Sequence, residues 1–338
     1  MKLLVCGGCG FIGSNFIHYM LSKYPKYDIV CYDKLTYAGN LDNLTDIASN
    51  PKYHFEKGDI IDLENVNKVI KKHKITHIIN FAAETHVDRS IHGGAKEFVL
   101  TNSLGVQMLL DAVRANNIEK MVNVSTDEVY GALGLDEDRK FTESTPIMPN
   151  MPYAAAKAGG DLMCHSYWIT HKTPVIVTHC SNNYGPYQFP EKLIPYFVFR
   201  ALKDQPLPVY GDGLNVRDWI HVLDHSSALD LLLHKGIVGG VYNIGVDNER
   251  NNLEITKMIL RILGKPESMV TYVEDRPGHD RRYSIDASKI LDLGWEPKYT
   301  RNRFEIGLTE TVMWYQQNIT WVDKVRQRMS EINQHIKV

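Results

Sequence analysis

A phenol and an ammonium group are spaced for acid–base chemistry at Tyr153 and Lys157. The two side chains stand four positions apart in Tyr153-Ala-Ala-Ala-Lys157, which places both on one face of a helix. A nearby lysine favours phenolate, so we expect Lys157 to lower the pKa of Tyr153 and to make it a base near neutral pH. Any helix can contain this pair by chance, so its meaning depends on the rest of the chain.

Three glycines near the start of the chain form a candidate phosphate-binding loop. Gly7, Gly10 and Gly13 follow a short apolar run and open a segment with helical periodicity, at a spacing one residue wider than G-x-G-x-x-G. Glycine permits the tight turn, the close approach of backbone to a pyrophosphate and the close packing of helix on strand. Backbone N–H groups and the positive end of the helix then receive the phosphates.

An acidic residue stands where a dinucleotide-binding unit needs one. Asp33 lies 20 residues after Gly13, at the end of the second apolar run. Its carboxylate would accept a hydrogen bond from a ribose 2′-OH and repel a 2′-phosphate, which favours NAD over NADP. A glycine-rich turn without a ligand is the alternative interpretation. Downstream of an NAD site, Tyr153 and Lys157 indicate removal of a hydroxyl proton while hydride leaves the same carbon.

The cysteines and histidines do not predict a metal or redox site. Cys6 and Cys9 share the glycine loop, whereas a redox Cys-x-x-Cys opens the helix of a thioredoxin-like unit. The five cysteines lie mostly in apolar runs, which favours reduced thiols in a cytoplasmic protein. His86, His221 and His225 lack metal-ligand spacing, so we assign no metal and expect His86 to serve packing.

The elements that position these groups alternate between strands and helices. Apolar runs predict strands at 2–6, 29–33, 76–83, 120–125 and 174–179, and helical periodicity predicts helices at 11–24, 66–72, 95–115 and 153–171. This alternation is typical of βαβ units. We therefore predict an α/β fold with a doubly wound parallel sheet of the NAD-binding Rossmann type.

A second, smaller lobe is predicted after residue 180, where segments become shorter and are interrupted by Pro and Gly. We assign residues 1–183, with returning elements at about 214–246, to the NAD-binding domain. The returning elements are predicted at 216–235 and 241–245. Residues 184–213 and 247–338 form an interleaved C-terminal lobe that binds the substrate.

Length and charge exclude several classes of protein. The 338 residues can bury a large core, and 43% hydrophobic with 23% charged residues is a usual globular composition. A formal charge of −2 lacks the basic footprint of a nucleic-acid binder. No run approaches the roughly 18 apolar residues that span a bilayer. We expect a cytoplasmic enzyme with a small-molecule substrate, and neither nucleic acid nor membrane as partner.

Several blocks match a known family along nearly the whole chain. They are 33–40 (DKLTYAGN), 82–91 (AAETHVDRSI), 125–131 (STDEVYG), 181–195 (SNNYGPYQFPEKLIP), 217–219 (RDW) and 275–283 (DRPGHDRRY). With the glycine loop and the Tyr153/Lys157 pair, they resemble the extended short-chain dehydrogenase/reductase superfamily and, within it, the dTDP-glucose 4,6-dehydratase family. The resemblance implies a nucleotide-sugar substrate, a tightly bound NAD regenerated in each turnover, and a homodimer that pairs helices near 95–115 and 153–171.

Within this resemblance, Asp127 and Glu128 decide the reaction. An epimerase oxidises and re-reduces one carbon, whereas a 4,6-dehydratase must also remove the C5 proton and expel the C6 hydroxyl. The second task needs a carboxylate base and a carboxylic acid side by side. Both residues follow the predicted strand 120–125 at its carboxyl end, where open α/β sheets bind ligands.

The resemblance implies one role for each catalytic residue. Tyr153 takes the 4-OH proton as the C4 hydride passes to NAD, and Thr126 hydrogen-bonds the same hydroxyl. Lys157 holds the nicotinamide ribose and stabilises the phenolate. Glu128 removes the C5 proton, and Asp127 protonates the departing hydroxyl. Return of hydride to C6 and of a proton to C5 gives a 4-keto-6-deoxy sugar without net redox change.

The resemblance also assigns contacts to both ligands. Positions matching NAD contacts are Gly7, Gly10, Phe11, Ile12, Gly13, Asp33, Lys34, Leu35, Thr36, Asp59, Ile60, Phe81, Ala82, Ala83, Glu84, Thr101, Tyr153, Lys157 and Asn183. Positions matching nucleotide-sugar contacts are Thr85, Thr126, Asn182, Lys192, Leu193, Pro208, Val209, Tyr210, Arg217, Asn252, Asp275, Arg276, Pro277, Gly278 and His279. Arg217 and Lys192 suit a diphosphate, and Tyr210 offers a face on which a pyrimidine can stack.

Two departures from the family pattern leave the sugar nucleotide open. His179 stands where the family usually has Arg, and Ala154 and Ala156 replace two serines beside the base. We expect both changes to lie near the cofactor or substrate. The same reaction on UDP-glucose or UDP-N-acetylglucosamine is the first alternative, because a methyl-sized contact is worth only about 1–3 kcal/mol. A nucleotide-sugar epimerase and a catalytically silent NAD-binding protein are the others.

Overall fold

The computed structural model describes residues 1–275 and 279–333. Its strands in chain order are β1 (Lys2–Cys6), β2 (Asp28–Asp33), β3 (Tyr53–Lys57), β4 (His77–Asn80), β5 (Lys120–Thr126), β6 (Val175–Cys180), β7 (Asn182–Tyr184), β8 (Leu207–Tyr210), β9 (Val216–His221), β10 (Val241–Ile244), β11 (Glu249–Asn251) and β12 (Val270–Val273).

The α-helices connect and cover these strands. They are α1 (Phe11–Lys23), α2 (Leu63–His73), α3 (Val87–His92), α4 (Lys96–Val99), α5 (Gly105–Ala115), α6 (Pro152–His171), α7 (Leu193–Leu202), α8 (Val222–Lys235), α9 (Asn252–Ile262), α10 (Ser288–Asp292), α11 (Phe304–Gln317) and α12 (Ile319–Asn333). Short 3₁₀ turns occupy Leu41–Ile47, Asp127–Tyr130, Glu267–Met269 and Arg301–Arg303, and Leu100–Leu104 is a π-helix.

Seven strands form one parallel sheet in the order β10-β6-β5-β4-β1-β2-β3. Successive residues of β1 enter two different cores. Leu3 and Val5 pack in the core that contains residues of α1 and α8, and Leu4 and Cys6 in the core with α2, α5 and α6. Burial on both faces explains why the strands are continuous apolar runs. The strand order is that of a doubly wound dinucleotide-binding sheet, so the predicted Rossmann sheet is confirmed.

The predicted helix 95–115 is interrupted in its first half by the π-helical turn Leu100–Leu104. Tertiary contacts hold this turn. The side-chain amide of Asn102 exchanges hydrogen bonds with the backbone of Glu84, and Ser103 Oγ donates to the carbonyl of Ala156. The predicted strand 76–83 ends at Asn80, whose Oδ1 accepts from the backbone N–H of Ala82 and turns the chain away from the sheet.

The predicted returning segment 216–235 does not add a strand to the seven-stranded sheet. β10 pairs with β6 as expected, but β9 pairs with β7 and β11 in a separate three-stranded sheet. Asp218 on β9 explains this, because its carboxylate accepts from the N–H groups of Val246 and Asn248 and fixes β9 beside the chain after β10. Helix α8 of that segment packs on the large sheet beside α1, and Ile220 of β9 enters the same core.

A third core belongs to the later part of the chain. Phe197 and Phe199 of α7, Ile259 of α9, and Leu308 and Val312 of α11 pack together there. β8 and β12 form a parallel pair beside it. The division of the chain into two lobes stays a prediction. Across the described residues, none of the helices combines the length and apolar character that crossing a bilayer requires.

Candidate active site

The glycine loop joins β1 to α1 in a turn that requires glycine. Gly7 has φ +71°, and a Cβ there would lie 2.6 Å from the backbone nitrogen of Ala82. A Cβ on Gly13 would collide with the carbonyl oxygen of Gly7, so α1 could not pack this close to the turn. Gly10 is the N-cap of α1 and brings no side chain to the positive helix end.

Asp33 is held rigidly at the end of β2. Its Oδ2 accepts from the N–H of Cys9 at 2.9 Å, and its Oδ1 accepts from the N–H of Leu35 at 2.7 Å. Burial raises the pKa of Asp33, and these two hydrogen bonds oppose that rise. The neighbouring Lys34 turns its ammonium to Asp59, with Nζ and Oδ2 at 2.6 Å.

A cavity of about 260 Å³, the central cavity, lies where β1, β4, β5 and β6 end. It brings together the glycine loop and all five predicted catalytic residues. Its lining contains these predicted residues: Gly7, Gly10, Phe11, Ile12, Gly13, Phe81, Ala83, Thr85, Thr126, Asp127, Glu128, Tyr153, Lys157, Asn182, Asn183 and Lys192. Residues that are far apart in the sequence therefore form one site at the carboxyl edge of the sheet.

Strand β5 and the 3₁₀ turn after it position the predicted acid and base. Thr126 ends β5, and its Oγ1 accepts from the N–H of Glu128 and donates to Oδ1 of Asp127, both at 3.3 Å. Thr126 thus caps the turn that carries both carboxyl groups.

Asp127 is in the environment of a carboxylic acid that keeps its proton. It is 2% exposed, and its Oδ2 has no hydrogen-bond partner among the described residues. Burial and the charges of Glu128 and Asp218 raise the pKa of Asp127 well above its ordinary value. Arg217 and the bond from Thr126 oppose this rise. A protonated Asp127 is a hydrogen-bond donor with one oxygen available to a ligand.

Helix α6 presents Tyr153 and Lys157 to the same cavity, and both are buried. Lys157 Nζ donates to the carbonyl of Val124 at 2.6 Å. The expected low pKa of Tyr153 is not found. Burial and the charge of Glu128 raise it well above the usual value, and only a hydrogen bond to Thr126 works in the opposite direction. Burial also lowers the pKa of Lys157 itself.

Most remaining predicted NAD contacts line a small adjoining cavity of about 90 Å³, the Asp33 cavity. Its predicted residues are Gly7, Gly10, Asp33, Lys34, Thr36, Asp59, Ile60, Phe81, Ala82, Ala83, Glu84 and Thr101. Leu35 is not among them. Its backbone takes a left-handed conformation with φ +60°, and its side chain packs against the core of α1 and α8.

Six of the fifteen predicted nucleotide-sugar contacts line a third cavity of about 210 Å³, the Arg217 cavity. Its predicted residues are Glu128, Asn182, Asn183, Lys192, Leu193, Arg217, Asn252 and His279. Arg217 is fixed there, because its guanidinium donates to the carbonyls of Val216 and Asp280 and lies 4.4 Å from the ring centre of Tyr283.

Several predicted substrate contacts are not among the lining residues of these cavities. They are Pro208, Val209, Tyr210 and Asp275. The side chain of Val209 is 2% exposed and packs in the third core, so a contact with the substrate would have to come from its backbone, and the assignment stays a prediction. Asp275 lies 2.6 Å from Nδ1 of His279, which does line the Arg217 cavity. The predicted contacts Arg276, Pro277 and Gly278 lie outside the described residues.

Several polar residues that line the site were not predicted from the sequence. Glu191 and Gln188 line both the central and the Arg217 cavities, and Tyr283 lines the latter. His86 is also there, and its Nδ1 accepts from the N–H of Arg89 at the start of α3, so packing is not its main role. Glu191 and Gln188 fall within the matched block 181–195, which could have pointed to them.

The two departures from the family pattern lie away from the central and Arg217 cavities. Register of β5 with β6 pairs Ser125 with His179, and His179 Nε2 lies 3.3 Å from Oδ2 of Asp161. Ala154 and Ala156 pack with Phe98 in a small core. Neither departure lines the central or Arg217 cavity, because strand register and helix packing direct these side chains to the scaffold; that they lie near cofactor or substrate stays a prediction.

Comparison with known proteins identifies the family. A sequence profile described as GDP-mannose 4,6 dehydratase matches residues 4–309. The dTDP-glucose 4,6-dehydratase of Xanthomonas campestris pv. campestris (strain B100) is 49% identical over 341 residues, which cover 95% of each chain. The chain belongs to the dTDP-glucose 4,6-dehydratase family.

Solved structures of the dTDP-glucose 4,6-dehydratase family have the same fold. The enzyme from Bacillus anthracis str. Ames, in complex with NAD, is 51% identical with a TM-score of 0.89 and covers 96% of this chain and 99% of its own. DesIV from Streptomyces venezuelae, with NAD and TYD bound, is 45% identical with a TM-score of 0.91 and covers 96% and 100%.

Proposed function

We propose that this chain is an NAD-dependent hydro-lyase that converts dTDP-glucose to dTDP-4-keto-6-deoxyglucose and water. The observation that carries the proposal is the pair Asp127 and Glu128 at the end of β5, in one cavity with Tyr153 and Lys157. Two carboxyl groups in different environments suit an elimination that needs one acid and one base. Relatives that share about half of the sequence carry the name of this activity.

The donor set of the site fits NAD. The turn at Gly7 and the N-terminus of α1 suit a pyrophosphate, and the fixed carboxylate of Asp33 suits the ribose 2′-OH. Lys157 would hold the nicotinamide ribose. When bound, NAD supplies a hydride acceptor that returns the hydride later in the reaction, and a cationic ring that favours phenolate.

The residues of this chain then handle the protons. Tyr153 accepts the proton of the sugar 4-OH, while Thr126 hydrogen-bonds that hydroxyl and Lys157 stabilises the phenolate. The resulting C4 ketone acidifies the C5 proton, which Glu128 removes. Asp127 gives its proton to the C6 hydroxyl, so that the C6–O bond breaks and water leaves. Glu128 returns its proton to C5 when C6 has received hydride.

Proton balance shows what must be reset before the next turnover. Each cycle leaves one proton on Tyr153 and removes one from Asp127, while Glu128 ends as it began. One proton therefore has to pass from the phenol to the carboxylate. Thr126 donates to Asp127, and its side chain also works against the rise in the pKa of Tyr153, so its hydroxyl is placed to serve as the bridge between them.

Charge and geometry on the substrate side agree with a nucleotide diphosphate. Arg217 and Lys192 bring two cations to one cavity, and the planar guanidinium of Arg217 suits bidentate contact with phosphate. Asn182 and Thr85 line the central cavity, and their polar side chains suit contacts with the sugar. An epimerase would have no use for Asp127 as a buried acid.

Mass spectrometry tests the function directly. The purified protein is incubated separately with dTDP-glucose, UDP-glucose and UDP-N-acetylglucosamine, without added NAD. We expect loss of one water from dTDP-glucose alone. Loss of water from only a UDP sugar would contradict the nucleotide, and formation of an epimer without mass change would contradict the roles of Asp127 and Glu128.

We also propose a homodimer in the cytoplasm. Leu162 and Ile169 on α6 are 57% and 54% exposed, and Val99 and Leu104 beside α5 are 50% and 39% exposed. These apolar side chains form a surface that a second copy could cover. All five cysteines are free thiols, which fits a reducing compartment.

Sedimentation tests the dimer. We expect the protein to sediment at twice the chain mass of 38.6 kDa. Replacing both Leu162 and Ile169 by Glu should yield monomer, whereas Ile306→Glu, at an exposed apolar residue of α11, should not. A wild-type monomer would contradict the proposal.

A further inference from the structure

A buried carboxylate without a role in the proposed reaction stands one turn beyond Lys157. Asp161 is 4% exposed, as is Lys157, and both belong to α6. Tyr153, Lys157 and Asp161 follow one another at intervals of four residues, so they share a face of the helix. A buried charge is costly unless it is paired and hydrogen-bonded, so the partners of Asp161 indicate its use.

Side chains of the sheet fix the orientation of Asp161. Its Oδ1 accepts from Asn123 Nδ2 at 3.2 Å, and its Oδ2 accepts from Ser125 Oγ at 2.6 Å. Asn123 and Ser125 are alternate residues of β5 and therefore point to the same face. Asn80 Nδ2 in turn donates to Asn123 Oδ1 at 2.9 Å. The carboxylate is thereby tied to the strand that ends at Thr126.

His179 borders Asp161 on the neighbouring strand. Its Nε2 lies 3.3 Å from Asp161 Oδ2, and its Nδ1 lies 2.6 Å from the hydroxyl of Tyr130. That hydroxyl donates its single proton to Oδ1 of Asn243 at 2.8 Å, so Nδ1 of His179 must be the donor to Tyr130. The hydrogen of the neutral ring is therefore on Nδ1, and Nε2 lies beside the carboxylate of Asp161 without donating to it.

The charges around the catalytic pair single out Asp161. Burial lowers the pKa of Lys157, and Asp161 is the first of the groups that oppose this, followed by Cys180 and Cys164. Both thiols stay neutral, because burial raises the pKa of Cys180 to about 12 and that of Cys164 well above its usual value. Asp161 is therefore the anion that supports the charge on Lys157.

Of the groups that act on Lys157, Cys180 also acts on Tyr153, whereas Asp161 does not. Glu128, Cys180 and Asp127 oppose the ionisation of Tyr153, and the bond from Thr126 favours it. Asp161 therefore acts on the lysine rather than directly on the phenol.

We infer that Asp161 is a positioning residue whose carboxylate keeps Lys157 an ammonium ion, directed at the Val124 carbonyl, and so sustains Tyr153 as the base. The inference rests on the proposed function for the use of Tyr153 and Lys157. Ser125 and Asn123 hold the carboxylate in place, and His179, the departure from the family pattern, lies beside it.

The variant Asp161→Asn tests this in the NAD-containing protein. It removes the charge and keeps the shape, so Lys157 loses its ammonium form more easily and phenolate is less stabilised. We expect the acid limb of the pH profile of kcat to move upward by about one pH unit, and kcat at pH 7 to fall about tenfold. The KM for dTDP-glucose should change little, because Asp161 does not line the central or Arg217 cavity.

Three control variants distinguish the effect of the charge on Asp161 from effects on the stability of the fold. Ser125→Ala and His179→Gln remove partners but leave the carboxylate, so the acid limb should stay near its wild-type position. Asp224→Asn removes another buried carboxylate, 3% exposed, which accepts from the N–H groups of Lys298 and Tyr299. It should lower the melting temperature without moving the limb.

An Asp161→Asn enzyme that folds, keeps NAD and has the wild-type pH profile would overturn the inference. If this variant does not fold, the double replacement of Asp161 and His179 by Leu removes the whole buried pair, and the same shift is expected. Inactivity of the wild-type enzyme on dTDP-glucose would count against the proposed function instead. The profiles would then be compared on whichever nucleotide sugar the enzyme accepts.

Discussion

Asp127 and Glu128 are neighbours in sequence whose surroundings differ. Asp127 is 2% exposed and hydrogen-bonded to Thr126, and its pKa is raised, whereas Glu128 lines both the central and the Arg217 cavities. The first suits a proton donor and the second a base that reaches the sugar. Their roles can therefore be separated by removing one group at a time.

Asp127→Asn should stop elimination but not proton removal at C5. In D₂O we expect recovered dTDP-glucose to carry deuterium at C5, while formation of product falls about 10²-fold or more, the usual contribution of a general acid. Glu128→Gln should lose both exchange and product. Mass spectrometry of the recovered sugar measures this, and deuterium uptake by Glu128→Gln alone would reverse the two assignments.

Asp127 should also make stability depend on pH in a predictable direction. A folded-state pKa above the unfolded value means that its stabilising contribution is present below about pH 4 and is lost as pH rises through the folded pKa. The melting temperature of Asp127→Asn should therefore exceed that of wild type increasingly from pH 4 to 9.

Asp212→Asn is the control of opposite sign for this measurement. Arg281 lowers the pKa of Asp212, so this carboxylate stabilises the fold above its unfolded pKa and the variant should lose stability as pH rises. A difference between Asp127→Asn and wild type that stays constant across the pH range would contradict the raised pKa of Asp127.

At the scale of single residues, spacing and the family resemblance were enough to select five candidate catalytic side chains that the structure brings into one cavity. They did not predict the direction in which the pKa of Tyr153 shifts, because burial and the charge of Glu128 outweigh the lysine four positions away. They also did not predict the orientation of the Val209 and His179 side chains, which face a core and a neighbouring helix. Orientation of this kind follows from packing and strand register, which no short motif contains.

Among the secondary-structure elements, the glycine loop allows the most specific prediction. Gly7 and Gly264 have similar backbone angles, φ +71° and +65°, but a Cβ would meet Ala82 only at Gly7 and nothing within 4 Å at Gly264. Gly264→Ala should cost about 1 kcal/mol in backbone strain and keep NAD. Gly7→Ala should cost more and lose NAD, measured as melting temperature and as cofactor released on denaturation. Equal losses of stability and of NAD in the two variants would mean that backbone strain alone accounts for the effect of Gly7→Ala.

Periodicity predicted the elements that bury apolar side chains on both faces of the sheet. It could not predict the π-turn at Leu100–Leu104, because contacts of Asn102 and Ser103 with distant backbone hold it. It also could not tell which sheet receives β9, since Val216–His221 has the apolar content of a returning strand. The hydrogen bonds of Asp218 decide that pairing.

For the whole molecule, bound NAD should be a large part of stability. A ligand at 100 times its Kd stabilises the folded state by about 2.7 kcal/mol. We expect protein stripped of NAD to melt at a lower temperature and added NAD to restore it. NADP at the same concentration should restore little, because a 2′-phosphate would face the carboxylate of Asp33. Equal recovery with NADP would contradict that role.

The central and Arg217 cavities have a wall in common, formed in part by Asn182 and Asn183 just after β6. Two ligands that share a wall are thermodynamically linked, and linkage is reciprocal. If bound cofactor improves the affinity for the nucleotide sugar about tenfold, or about 1.4 kcal/mol, the sugar improves the affinity for the cofactor by the same factor. The cofactor would then be bound most tightly while a nucleotide sugar occupies the site, and it would dissociate most readily from the enzyme without substrate.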